Sequence, residues 1–263
     1  MTLRLVLLGD PVEHSLSPVL HEAALAATGL VGTYTTRRVD EAGLRLAVEE
    51  LRHGRLTGAN VTMPHKVLAF ELAERPTARA LRIGAVNTLW RREGAVWADN
   101  TDVDGVLGAF AEAGLPEAAP ILVLGGGGAA AAALVALADR QLHVATRRPE
   151  AARRLLDRLR VEGRVVEWGR PVPGAVVVNA TPIGMRGEDG LPRGVLAEAA
   201  GLLDMAYGAG RTPAATRLLD AGVPVAEGPT MLVHQAAAAF ERWTGREAPL
   251  AAMQRALRDT LGG

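Results

Sequence analysis

Leu122-Val123-Leu124-Gly125-Gly126-Gly127-Gly128-Ala129-Ala130 decides the fold. An apolar run without alternation reads as a parallel strand buried on both faces. Four glycines then turn the chain, and an alanine-rich helix begins. The run matches G-x-G-x-x-A through Gly125, Gly127 and Ala130. In such a loop the first glycine makes the tight turn. The second lets backbone approach a pyrophosphate, and the small third residue lets helix pack on strand. The free N–H groups of the helix start face the phosphates. A second strand, 142–146, follows at the distance a βαβ unit requires. The loop is therefore expected to bind a dinucleotide through Gly125, Gly126, Gly127, Gly128 and Ala129.

That second strand ends in Ala145-Thr146-Arg147-Arg148-Pro149. A site for NAD usually carries a carboxylate here, for a ribose hydroxyl. Two guanidiniums and no carboxylate suit a 2′-phosphate instead. NADP is the expected cofactor, with Arg147 and Arg148 as its selectors.

Outward from the loop, strand-like runs alternate with helical patterns, the signature of βα units. Towards the N-terminus the spacing predicts strands at 3–9, 33–39 and 57–61, and a hairpin of 85–91 with 95–98 over Glu93-Gly94. Helices are expected over 41–52, 64–73 and 101–113, and from Ser17-Pro18 to Gly29 with Ser17 as N-cap. A break of Gly, Pro and small residues spans 114–120. Beyond the loop helix, 128–139, further units run through 149–160, 175–179, 201–204 and 223–226. Helices over 229–243 and 248–261 close the chain. The expected class is α/β, with two domains.

Composition narrows the function. Net charge is zero, so nothing suggests nucleic acid or an anionic membrane surface. There is no cysteine, hence no disulfide, thiol chemistry or Cys-held metal. The histidines show no metal spacing. The opening apolar run is too short for a membrane span, and a cytoplasmic location is expected. Monomer and homodimer both stay open.

Lys66 is the only lysine among 29 basic residues. Arginine fills most surface roles of lysine, but it cannot be tuned into a working acid or base. Lys66 lies in Asn60-Val61-Thr62-Met63-Pro64-His65-Lys66, a segment dense in polar groups. Asparagine is also scarce, at Asn60, Asn87, Asn100 and Asn179. Ser15 and Ser17 follow the first strand, and Asp99-Asn100-Thr101-Asp102 interrupts a later one. Ligands in open α/β sheets sit at carboxyl ends of strands. Hydroxyls, amides, one ammonium and one carboxylate there suit a small, oxygen-rich ligand.

Seven segments together resemble the shikimate dehydrogenase family. They are Ser15-Leu16-Ser17-Pro18, Asn60-Val61-Thr62-x-Pro64-x-Lys66, Gly84-Ala85-Val86-Asn87-Thr88, Asn100-Thr101-Asp102, the glycine loop, Asn179-Ala180-Thr181-Pro182-Ile183-Gly184, and Gly228-x-x-Met231-Leu232-Val233-x-Gln235. They run in family order over nearly the whole chain. The resemblance implies reversible reduction of 3-dehydroshikimate to shikimate by NADPH, on the way to chorismate and the aromatic amino acids. It implies Lys66 and Asp102 as the catalytic pair. It places substrate near Ser15, Ser17, Asn60, Thr62, Asn87, Tyr207 and Gln235. It places cofactor near Thr146, Asn179, Thr181, Met205 and Gly228. It also implies a discontinuous substrate domain, 1–101 with 229–263, around a Rossmann-type NADP domain, 102–228. Three positions depart from the family pattern: Glu22 after His21, Ala98 before the Asn-Thr-Asp segment, and Thr146-Arg147-Arg148 for the usual Asn-Arg-Thr. An NAD-using quinate/shikimate dehydrogenase and a non-catalytic shikimate sensor are the competing readings.

Overall fold

The computed structural model describes residues 2–208 and 210–262. The chain forms two compact units, Met1–Thr101 with Leu232–Gly263, and Asp102–Met231. The first holds β1 (Leu3–Gly9), α1 (Ser17–Thr28), β2 (Gly32–Arg38), α2 (Glu41–Arg52), β3 (Gly58–Val61), α3 (Lys66–Leu72), β4 (Arg75–Pro76), α4 (Ala78–Ile83), β5 (Thr88–Arg92) and β6 (Ala95–Asp99). The second holds α5 (Asp102–Glu112), β7 (Ile121–Leu124), α6 (Gly128–Ala136), β8 (Leu142–Ala145), α7 (Pro149–Leu159), β9 (Arg164–Val166), β10 (Val176–Asn179), α8 (Arg193–Ala197), β11 (Gly201–Asp204), α9 (Pro213–Asp220) and β12 (Val225–Ala226). Then α10 (Gly228–Thr244) leads back, and α11 (Leu250–Leu261) ends the chain in the first unit.

The first unit carries a six-stranded sheet ordered β2-β1-β3-β5-β6-β4. Strands β1, β2 and β3 run parallel, as do β4 and β6. Strand β5 is antiparallel to both β3 and β6. This one reversal positions the site. The start of β5 falls beside the end of β3, with Asn60 opposite Thr88. The end of β6 returns to the same place, with Thr88 opposite Asp99. Polar segments far apart in sequence thus meet at one sheet end. Val6, Leu8, Leu44, Leu51, Leu89 and their neighbours form the core beneath.

Helix α10 docks on this sheet through Trp243. Its indole Nε1 donates to Leu89 O at 3.1 Å. A Cβ on Gly58 would lie 2.4 Å from the indole, so only glycine lets strand and ring approach this closely. The two-unit division falls at Met231/Leu232, three residues past the boundary expected from sequence. The reason is local: Gly228, in the first turn of α10, presses on Ala206 O and Tyr207 of the second unit.

The second unit has six parallel strands ordered β12-β11-β10-β7-β8-β9. This is the doubly wound Rossmann arrangement, with its reversal of strand order between β7 and β10. Strands β7, β8, β10 and β11 are buried along their whole length, His143, Asn179 and Asp204 included. Ala130 to Ala133 of α6 are fully buried. Single methyl groups let that helix lie close to the sheet.

Helices α3 and α11 start two residues later than the spacing predicts, at Lys66 and Leu250, and the cap of α1 also differs from the sequence reading. Helix α1 begins at Ser17 itself; the cap position is Leu16, with no side-chain cap. The Ser15 hydroxyl accepts the Ser17 N–H at 3.2 Å instead. Pro18 has no N–H to satisfy.

Candidate active site

In the first unit, loops after β1 and β3 are tied by Asp10 N–H donating to Met63 O at 3.0 Å. Ser15 and Ser17 share a hydroxyl–hydroxyl hydrogen bond of 3.2 Å in the first loop. Thr62, half-buried, donates its N–H to Leu8 O at 2.9 Å. His65 sits in the cap position of α3 and anchors it sideways, with Nε2 2.8 Å from Val39 O. Lys66 is therefore the first helical residue. It is half-buried, and its carbonyl accepts Val86 N–H at 2.9 Å.

The amides form one network. Asn60 Nδ2 donates to Asn87 O at 3.1 Å and to Thr88 Oγ1 at 3.3 Å. Its Oδ1 accepts the Tyr34 hydroxyl at 2.7 Å. Asn87 Oδ1 accepts from Thr88 Oγ1, Thr101 N–H and Thr101 Oγ1, at 3.0, 2.8 and 3.0 Å. Its Nδ2 donates to Gln235 Oε1 on α10 at 3.4 Å. Asn60, Asn87 and Gln235, separate in sequence, thus share one cluster with Tyr34, Thr88 and Thr101.

The sequence reading passed over Tyr34 and gave His21 no role in the chemistry. The His21 and Tyr34 rings stack at 4.3 Å and 20°, and Trp243 lies 4.9 Å from His21. Neither His21 nitrogen reaches a hydrogen-bond partner among the described residues. Burial pulls its pKa down to about 3, against a smaller opposing effect of the Asn60 side chain. It is held as a neutral ring. The available signal was scarcity: Tyr34 is one of two tyrosines in the chain.

In the second unit, Asp102 opens α5 and is buried. It follows Thr101 directly, so the Asn87 bonds to Thr101 fix the peptide that leads into it. Tyr207 is half-buried near it. Burial pushes the Tyr207 hydroxyl pKa up, and the Asp102 charge acts the same way.

The glycine loop lies at the switch point. Gly125 has φ 129°, and a Cβ there would lie 2.6 Å from Ala180 O. The loop after β7 therefore touches the turn after β10. Gly127 and Gly128 differ: a Cβ on either would meet nothing within 4 Å. Gly127 has φ −94°, open to any residue. The fold itself does not need these two glycines. Exposed backbone at a helix start, kept bare, fits a pyrophosphate. Ala129 follows, half-buried. Thr146 Oγ1 donates to Arg148 O at 2.6 Å, shaping the turn after β8. Arg147 and Arg148 are exposed there, and neither is in an ion pair among the described residues. Two uncommitted guanidiniums suit the 2′-phosphate.

Asn179 serves the turn more than any ligand. Its Nδ2 donates to Ile183 O and Asp204 Oδ1 at 3.0 and 2.8 Å. Its Oδ1 accepts from Thr181 N–H and Thr181 Oγ1 at 3.2 and 2.6 Å. Every polar capacity of this buried amide is met internally. Its carbonyl accepts Met205 N–H at 3.1 Å, which joins the turn to the Met205–Tyr207 segment. Asp204, buried between Asn179 and Thr212, accepts from both. Burial raises its pKa against these hydrogen bonds.

The sequence comparisons agree with this geometry. A family model described as the shikimate dehydrogenase substrate binding domain matches residues 7–89. Another, the shikimate 5'-dehydrogenase C-terminal domain, matches 228–258. The shikimate dehydrogenase (NADP(+)) of Citrifermentans bemidjiense is 38% identical, over 97% of this chain and 94% of its own. The chain belongs to the shikimate dehydrogenase family. The NADP(+)-dependent member from Natronomonas pharaonis is 39% identical over 97% of this chain and 98% of its own. Among solved structures, the Thermus thermophilus family member in complex with NADP(H) and shikimate has a TM-score of 0.91. It is 34% identical, covering 98% of this chain and 99% of that one.

Among the described residues, no helix is long and apolar enough to cross a membrane. Nor do they contain a His, Asp and Glu group that could hold a metal ion.

Proposed function

We propose that this protein is an NADP-dependent shikimate dehydrogenase of the cytoplasm, interconverting 3-dehydroshikimate and shikimate. The observation that carries the reading is likeness along the full chain to curated enzymes of that name. The bare glycine loop and the uncommitted Arg147 and Arg148 support the choice of NADP.

When bound, NADPH supplies the hydride. The chain must supply a proton to the oxygen of the reduced carbonyl and hold the ring while it does so. Lys66 is the proposed proton donor, and the acceptor in the reverse direction. Asp102 takes a neighbouring hydroxyl as a hydrogen-bond acceptor. Ser15 and Ser17 hold the carboxylate, with Thr62, Asn60, Asn87, Tyr207 and Gln235 as further contacts. Gly125 to Ala129, Thr146, Arg147 and Arg148 hold the phosphates. The backbone around Asn179, Thr181, Met205 and Gly228 shapes the nicotinamide side. Residues 1–101 with the C-terminal helices are the proposed substrate domain, and 102–228 the proposed NADP domain.

The test is NADP⁺ reduction with shikimate, run beside NAD⁺ and beside quinate. Turnover with NADP⁺ and shikimate alone is expected. Equal use of NAD⁺, or oxidation of quinate, would move the protein to the broader quinate/shikimate class. Binding of shikimate without turnover would make it a sensor.

A further inference from the structure

We infer that Asp204 is a positioning residue for the nicotinamide half of the cofactor: it ties the turn after β10 and the segment after β11 into one wall. This deepens the proposed function and rests on it. Asp204 ends β11 and is 1% exposed. The proposed chemistry does not use it. Its Oδ1 accepts Asn179 Nδ2 at 2.8 Å and Ala206 N–H at 3.1 Å, and its Oδ2 accepts the Thr212 hydroxyl. All three of these donors are uncharged. Burying an acid without a cation is costly, so for stability alone it is a poor choice here.

The hydrogen bonds have fixed directions. A backbone N–H only donates. Thr181 N–H, at 3.2 Å, makes Asn179 Oδ1 an acceptor, and Ala206 N–H makes Asp204 Oδ1 one. The bond between Asn179 and Asp204 therefore runs one way, from amide to carboxylate. The Asn179 carbonyl takes Met205 N–H at 3.1 Å, and Asp204 takes the next N–H along. Thr212 in turn caps α9, accepting Ala215 N–H at 3.2 Å. One side chain thus holds the 179–184 turn and both ends of the loop from Met205 to Thr212.

Strand order says which part of a dinucleotide meets this wall. The sheet runs β11-β10-β7-β8. The 2′-phosphate is proposed at Arg147 and Arg148, after β8, and the pyrophosphate at the glycine loop, after β7. A dinucleotide crosses the switch point at the carboxyl ends of the strands. Its remaining half must then pass over β10 and β11, whose ends carry the wall. A Cβ on Gly125 would lie 2.6 Å from Ala180 O, so the wall begins where the phosphate loop ends. A shift there moves the ring that carries the hydride and leaves the adenosine side in place.

The test sets Asp204→Ala beside Asp204→Asn, with kcat for shikimate oxidation and calorimetric binding of NADP⁺ and of adenosine 2′,5′-bisphosphate, which lacks the nicotinamide half. Asp204→Ala is expected to weaken NADP⁺ about tenfold. Its kcat should fall about ten- to a hundredfold, because a bound reactant misplaced by ~1 Å loses that order of rate. The bisphosphate should bind within about twofold of wild type, since its contacts lie away from the change. Asp204→Asn keeps Oδ1 for Asn179 and Ala206 and should recover most of both losses. Equal weakening of NADP⁺ and the bisphosphate would make Asp204 a residue of the fold only and overturn the inference. So would an alanine variant that matches wild type, or an asparagine variant as impaired as alanine. If Asp204→Ala does not fold, Thr212→Val cuts one of the three ties and is read by the same split. If the wild type neither binds NADP⁺ nor oxidises shikimate, the proposed function fails with this inference. If it does both and the variants show no split, only the inference fails.

Discussion

Asp99 and Arg79 form a two-pronged ion pair, Nε to Oδ1 at 2.7 Å and Nη2 to Oδ2 at 2.6 Å. Asp99 ends β6 and is 1% exposed; Arg79 lies on α4. Thr77 Oγ1 and Asn100 N–H add to Oδ1 at 2.6 and 2.8 Å, and Arg242 of α10 reaches Oδ2 at 3.0 Å. Burial opposes the charge, yet these partners outweigh it and hold the Asp99 carboxyl below the usual carboxylate range. The pair pins the strand end that runs into Asn100, Thr101 and Asp102.

Removing Arg79 leaves a buried carboxylate short of its main partner. Such losses typically cost about 3–5 kcal/mol, and Arg242 offsets part of it. Arg79→Ala should therefore lose about 3 kcal/mol in urea unfolding. Because the folded carboxyl is depressed, its contribution is present above the unfolded value and fades as pH falls through the folded one. The deficit of the variant should shrink below about pH 4. A variant as stable as wild type at pH 7 would refute the anchor role.

The glycine loop predicts a separation of folding from binding. Gly125→Ala puts a Cβ 2.6 Å from Ala180 O at a φ that disfavours it. It should destabilise the second unit. Gly127→Ala and Gly128→Ala meet open space. They should melt as wild type does, while KM for NADP⁺ rises about tenfold or more from obstructed phosphate approach. Equal NADP⁺ affinity in these two variants would show that the loop is structural only.

Lys66→Met tests the proposed acid. Positioned acid–base groups contribute about 10²–10⁴-fold, and kcat should fall by that amount. Shikimate binding, measured calorimetrically, should change far less. A near-normal kcat would remove Lys66 from the chemistry.

His21 predicts an acid limb to stability. Its folded pKa is about 3, against about 6.5 unfolded. Below about pH 6.5 the unfolded chain takes up a proton that the folded chain refuses, so stability falls as pH drops, by up to about 1.4 kcal/mol per unit. Above pH 7 both states are neutral and the effect vanishes. His21→Phe keeps a ring against Tyr34 and should flatten the slope between pH 7 and 5, a window above the titration of Asp99. An unaltered slope in that variant would assign the acid limb to other groups.

The sequence was most legible where one residue type has one physical use. Bare glycines after a buried strand gave the second unit its loop and its parallel sheet. The Glu93-Gly94 turn gave the β5–β6 hairpin. Short elements were missed: β4 is two residues and α4 six, too short for a periodic pattern to form. The Ser17 cap failed because Ser17 is already the first helical residue, and its own N–H is taken by the Ser15 hydroxyl two residues earlier. Most of the substrate-side polar residues were named from motifs, but not what their atoms do. That the Asn60 amide accepts the Tyr34 hydroxyl, 26 residues away, depends on side-chain geometry across two strands. The saturation of Asn179 depends on Asp204, 25 residues on, which no motif flagged.

The position of Lys66 at the head of α3 has a practical consequence. It is half-exposed, and the protein has no other side-chain amine. Apart from the α-amino group of the chain, an acylating or reductively alkylating reagent has one target. Modified protein is then a near-homogeneous adduct, readable by mass. If ligands shield that amine, occupancy of the candidate site becomes a protection footprint at a single residue, without coupling to turnover.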